Sequence, residues 1–260
     1  MRKTGAVVLL IVIGVLSLES VQAQTQTSDQ KYLADLRSSY AVLKRQGLVG
    51  LRATVVPNWT ATFKDVPIKD RAALLRVANR LRFNLEVDET GNFHVTHAIV
   101  GPRPAKAAAG ALDDIAKGVD LSITGFMMTW APFMLTYLIP DNLEQFVLQD
   151  LDSQKVLTYK EREVAVSLTL TKDFEIKELS TQQGSVKPVL RRDKSGFVLT
   201  GYEGNNDDPI VGKVVINAKI RLAPVQGLLL PKTVFLNGKS GATPINFELN
   251  FLNYRLKRKG

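Results

Sequence analysis

The sequence predicts an α+β chain dominated by antiparallel sheet. Three observations carry this. After Pro140, run after run alternates apolar and polar residues, as in Val164/Val166/Leu168/Leu170 and Val214/Ile216/Ala218/Ile220/Leu222, the period of a half-buried strand. One polar face per strand describes antiparallel pairing with one wet side. Three stretches, 28–46, 70–82 and 105–118, keep helical character instead.

The composition narrows the function classes. The chain has 260 residues, 34 Lys+Arg against 25 Asp+Glu, two His and no Cys, with 45 % apolar residues. This is an ordinary globular composition. It excludes thiol nucleophiles, Cys-bound zinc and iron–sulfur clusters. Two His cannot supply a three-His metal site without a partner chain.

Residues 1–23 read as an export signal. Arg2 and Lys3 precede an apolar run from Ala6 to Leu18, and Val21-Gln22-Ala23 makes a small-x-small cleavage site. No Cys follows to carry a lipid anchor. The protein is expected in the periplasm or secreted, beginning near Gln24, with 24–260 as a single domain. Removing Arg2, Lys3 and Glu19 leaves 32 cations against 24 acids, a charge of +8. That charge favours anionic partners outside the cytoplasm, phospholipid headgroups before nucleic acid.

Each element follows from local pattern. Ser28 caps a helix expected to reach about Gln46, with Leu33, Leu36, Tyr40 and Leu43 on one face and Gly47 ending it. Leu51, Ala53 and Val55 alternate as a strand, and Trp59, Ala61 and Phe63 continue the alternation beyond Pro57-Asn58. Asp70 to Arg82 reads as a short helix with Arg71, Arg76, Arg80 and Arg82 on its polar face. A hairpin follows, Phe83/Leu85/Val87 and Phe93/Val95/His97/Ile99 around the turn 88–92. Pro102 and Pro104 mark a linker. Phe174 and Ile176 alternate as one further strand, and Phe197 and Leu199 follow a turn at Asp193–Gly196. Near the end, Ile245, Phe247, Leu249 and Phe251 give way to Leu252, Tyr254 and Leu256, so a β-bulge is expected near Phe251-Leu252.

Few residues offer chemistry. His94 and His97 would share a helical face, but on a strand their odd separation puts them on opposite faces. The segment Glu203–Asp208 has oxygen ligands without calcium-loop spacing and reads as a polar turn. No nucleophile elbow, phosphate loop or dinucleotide fingerprint is present. The C-terminal Arg255–Lys259 reads as a small basic tail.

The anomaly is 121–139, which carries no charge. Pro132 should kink or break a helix there. Apart from Met1, every Met of the chain lies in it: Met127, Met128 and Met134. Three readings remain: a membrane span, a core helix under a curved sheet, or the lining of a lipid cavity. Phe126, Met127, Trp130, Phe133, Met134 and Tyr137, with Met128, would supply that lining. Adaptable Met suits a surface that repacks around variable chains. On this reading, Met134→Asp abolishes lipid retention without unfolding the sheet.

The pattern Val225-Gln226-Gly227-Leu228-Leu229-Leu230-Pro231-Lys232-Thr233-Val234, followed by a strand closing in Phe251-Leu252-Asn253-Tyr254-Arg255-Leu256, resembles the end of the LolA/LolB-like periplasmic lipoprotein-carrier superfamily. The resemblance is best over 190–256. It implies an incomplete, strongly curved β-barrel with helices plugging the concave face, 121–139 serving as plug or lid. It also implies non-covalent binding of a lipid or lipidated protein, with no catalytic residue, cofactor or metal. The alternative is a structural or regulatory envelope module whose cavity is filled by its own side chains.

Overall fold

A computed structural model describes residues 28–101, 106–161, 163–208 and 212–260. The expected export signal, 1–23, and most of the linker around Pro102 and Pro104 lie outside these. The chain divides into two compact units, Met1–Ser39 and Tyr40–Gly260. In the first, helix α1 covers 28–38. It ends well before Gln46. Ser38 and Ser39 donate their hydroxyls to the carbonyls of Asp35 and Leu36, each at 2.7 Å, a local bonding pattern that competes with further helix.

The second unit is built on one sheet of twelve strands. They are β1 (Leu48–Pro57), β2 (Leu81–Val87), β3 (Phe93–Ile99), β4 (Phe146–Leu151), β5 (Gln154–Glu161), β6 (Val164–Thr171), β7 (Ile176–Ser180), β8 (Gly184–Asp193), β9 (Gly196–Asp208), β10 (Gly212–Val225), β11 (Leu228–Ser240) and β12 (Thr243–Arg258). Their order is β3-β2-β1-β12-β11-β10-β9-β8-β7-β6-β5-β4, so the sheet is open. Every neighbouring pair is antiparallel. The expected α+β class with a curved, unclosed antiparallel sheet is what the chain adopts.

Helix α4 (Lys106–Met134) packs on one face of this sheet, its inner face. The Phe126 ring lies 5.7 Å from Phe251 on β12. Met134 Sδ accepts the Leu199 N–H of β9 at 3.3 Å. Asp120 reaches His97 on β3. The helix runs through Pro132 to Met134 without breaking there. Pro132 falls in the last turn, and the Ala131 carbonyl then accepts from Leu135 N–H and Thr136 N–H, which closes the helix.

Several elements differ from the sequence reading. Trp59–Thr62 is a short helix, α2, because Asn58 caps it by accepting the Ala61 N–H. Trp59 and Phe63 then stack at 5.7 Å, an i,i+4 pair that also fits strand alternation. Helix α3 is Ile68–Ala78, so Arg80 and Arg82 lie beyond it and donate to the carbonyls of Val100, Asn79 and Leu81. Phe174 sits in a turn at φ +66, and only Ile176 begins β7. Glu203–Asp208 belongs to β9, paired with β10 from Gly212 to Asn217. The expected basic tail is strand: Leu48 pairs with Arg258, whose guanidinium donates to the carbonyls of Gln46 and Gln226.

The expected bulge exists and centres on Asn253. Arg52 pairs with Arg255 and Thr54 with Leu252, leaving two residues of β12 opposite Ala53. Asn253 holds φ +54. The phase does flip, but after Leu252 rather than before it: Phe251 is buried, Leu252, expected on the apolar side, is exposed, and Tyr254 and Leu256 turn half-buried.

Candidate functional site: an apolar groove beside helix α4

The inner-face concavity is largely filled. Phe126, Met127, Trp130 and Met134 are each at most 1 % exposed. Phe126 stacks on Trp130 at 6.0 Å and tilts against Phe251. These four predicted lining residues are core. They do not line an open cavity, and the reason is that the α4 side chains themselves occupy the space under β9 and β12.

The other three predicted residues, Met128, Phe133 and Tyr137, border a real opening. Phe133 and Tyr137 line a groove of about 430 Å³, within the range of small-ligand sites. One wall is α4 and the chain after it: Met128, Thr129, Pro132, Thr136 and Leu138. The other is the inner face of β5–β8: Tyr159 and Glu161, Val164 and Val166, Leu179, and Val186. The strand side was legible in principle, because Val164/Val166 alternation already faces those residues to one side.

The groove is held open by polar ties at its edge. Tyr159 donates its hydroxyl to the Leu138 carbonyl at 2.9 Å. Burial, with Glu161 nearby, pushes the Tyr159 hydroxyl well above its usual pKa, so it stays a neutral donor. Arg45 sits over the Tyr137 ring, 5.5 Å from its centroid, and donates to the Tyr40 carbonyl at 2.6 Å. Tyr40 donates in turn to the Phe174 carbonyl and accepts the Ile176 N–H.

The groove runs on into an uncharged, solvent-facing strip of α4. Leu121 is 73 % and Met128 67 % exposed, and Gly125 lies between them with open space where a Cβ would stand. Residues at 121, 125, 128 and 132 follow helical spacing on one face. Exposed large apolar groups that continue a cleft mark a binding surface rather than scattered surface residues.

The remaining candidates resolve simply. His94 and His97 do lie on opposite faces, His94 on the outer face in a polar groove with Arg52, Glu86 and Arg255, His97 on the inner face at Asp120. No group of three or more His, Asp or Glu that could hold a metal occurs among the described residues. Among those residues no helix is long and apolar enough to cross a membrane. Comparison with protein-family models, with curated proteins and with solved structures finds no match.

Proposed function

We propose that this is a non-enzymatic, exported lipid- or lipoprotein-binding protein of the cell envelope, which holds an acyl chain in the groove between α4 and β5–β8. The observation that carries the reading is the groove itself: its walls are mostly apolar, and an exposed apolar strip of α4 leads into it. Two larger grooves, of about 740 and 720 Å³, lie on the outer face and mix charged with apolar side chains, Arg52, Glu86 and Arg255 in one and Arg191, Lys219, Arg221 and Lys232 in the other, so hydrocarbon there would lie against ionised groups. Each buried methylene contributes about 0.8 kcal/mol. A span of about eight methylenes thus reaches roughly 6 kcal/mol before ordering costs. The sequence resemblance to the LolA/LolB-like carriers, and a periplasmic or secreted location, belong to the same proposal.

The test is charge on the groove wall. Met128→Asp and Val164→Asp replace side chains that are already 67 % and 45 % exposed, so the sheet survives them. Uptake of a fluorescent fatty acid should weaken at least tenfold in the double variant, with unchanged far-ultraviolet circular dichroism. Uptake equal to the wild type removes the groove as the site. Met134→Asp does not serve this purpose, because Met134 is core and a carboxylate there would unfold the protein.

A second reading has its own observation. Phe126, Met127, Trp130 and Met134 fill the concavity, as in an envelope interaction module that carries no lipid. Wild-type protein that refuses every acyl probe would favour it.

A further inference from the structure

The outer face of the sheet carries a cluster of cations that, among the described residues, no ion pair engages. Arg191 on β8, Lys219 and Arg221 on β10 and Lys232 on β11 line a groove of about 720 Å³. Its lining holds no Asp or Glu. Among the described residues none of the four makes an ion pair. All four are exposed.

The backbone builds this groove. Gly201 pairs with Val189 on one side and Lys219 on the other, so the row of outer side chains has a gap there. A Cβ at Gly201 would meet the Ala218 carbonyl at 2.6 Å, so the close strand approach itself demands glycine. Two irregularities flank the gap. Thr200 is the extra residue where the β8–β9 register shifts. Lys232 is the extra residue where β10–β11 shifts, between the pairs Arg221↔Thr233 and Leu222↔Pro231. A bulge re-aims the side chain it carries, and here it adds Lys232 to the cluster. Arg221 is braced over the Phe235 ring at 4.9 Å.

The cluster has a boundary. Further along the same strands Lys187 faces Glu203, and Lys213 faces Asp207. Cations and acids are interleaved there, Lys187, Lys213 and Lys239 with Glu203 and Asp207, whereas the lining at the Gly201 end holds cations without an acid. Val189, 54 % exposed, stands within it as an apolar contact.

We propose that this patch docks the protein on an anionic phospholipid surface through Arg191, Lys219, Arg221 and Lys232, with Val189 at the headgroup level. The occupant follows from charge complementarity and from the pairing of cations with an exposed apolar side chain, the combination that binds anionic bilayers. The patch faces away from the acyl groove and stands independently of it.

The test uses sedimentation with vesicles of neutral phosphatidylcholine, alone or with about one-third phosphatidylglycerol. The wild type should bind only the anionic vesicles, and salt should release it. In the quadruple variant Arg191→Gln, Lys219→Gln, Arg221→Gln, Lys232→Gln, binding should fall by roughly fivefold per cation, several hundredfold together. A control with the same change in net charge, Lys64→Gln, Lys69→Gln, Arg76→Gln, Lys117→Gln, should bind nearly as the wild type. Equal losses in both variants would show that net charge alone acts and would overturn the proposal. So would equal binding of neutral vesicles, or a quadruple variant that binds normally. Displacement by millimolar inorganic phosphate would overturn it in favour of a free-anion site. Fatty-acid uptake by the quadruple variant stays at the wild-type level, which separates this proposal from the acyl groove.

Discussion

His97 on β3 and Asp120 on α4 meet at 2.6 Å, Nδ1 to Oδ2. The contact fastens the edge strand to the middle of the helix. The other Asp120 oxygen, Oδ1, is buried with no hydrogen-bond partner among the described residues, so this carboxylate relies on the histidine.

That reliance gives a prediction. His97→Ala strands a half-buried carboxylate and should cost about 1–3 kcal/mol. Adding Asp120→Ala removes the stranded group and should restore part of the loss. Urea unfolding of the single and double variants reads both. An unchanged midpoint in His97→Ala would show that the pair does not hold α4.

Trp130 separates a filled concavity from an open one. Its side chain is 1 % exposed, and its indole N–H is buried without a partner among the described residues. Trp130→Phe loses no hydrogen bond and should cost less than about 1.5 kcal/mol. Trp130→Ala leaves a void and should cost about 3–5 kcal/mol. A small cost for the alanine variant would mean that the side chain faces open space.

The bulge at Asn253 sets which residues of β12 face inward. At φ +54 the position suits asparagine or glycine and opposes a β-branched residue. Asn253→Gly should stay near wild-type stability, whereas Asn253→Val should lose about 1–2 kcal/mol. Thermal unfolding compares them. Equal stability of the two would deny the left-handed conformation.

Stability should fall in alkali through Tyr202. Burial pushes its hydroxyl from 10.0 up to about 12, although the Thr129 hydroxyl pulls the other way. The neutral form is therefore favoured in the folded state. The resulting stability is complete below about pH 10 and is lost as pH rises through about 12. Burial shifts Tyr159 and Tyr254 in the same direction. The difference in tyrosinate absorbance between the wild type and Tyr202→Phe should rise together with loss of circular dichroism. A difference signal that appears near pH 10 while the protein is still folded would contradict the burial of Tyr202.

The sheet was legible because period-two alternation reports one buried face, and it even signalled the β12 phase flip before its cause, Asn253, was visible. The failures have physical causes. Residues 59, 61 and 63 satisfy strand spacing and, through Trp59 and Phe63, helix spacing as well. Asn58 was the deciding cap. Ser38-Ser39 stops α1, although the apolar pattern continues through Tyr40 and Leu43. The groove was harder to see. Periodicity says that α4 has an apolar inward face, but not that Phe126, Met127, Trp130 and Met134 fill the space while Phe133 and Tyr137 border an opening. That distinction depends on where β5–β8 lie, and pairing across the sheet is not written in any one segment.

An acyl chain in the groove beside α4 is what the proposed function requires. Native mass spectrometry of the protein purified without detergent from an envelope fraction should then show added mass. That mass should be lost on denaturation, recovered as lipid, and absent from the Met128→Asp/Val164→Asp double variant. A clean apo mass that also refuses added lipid would contradict it.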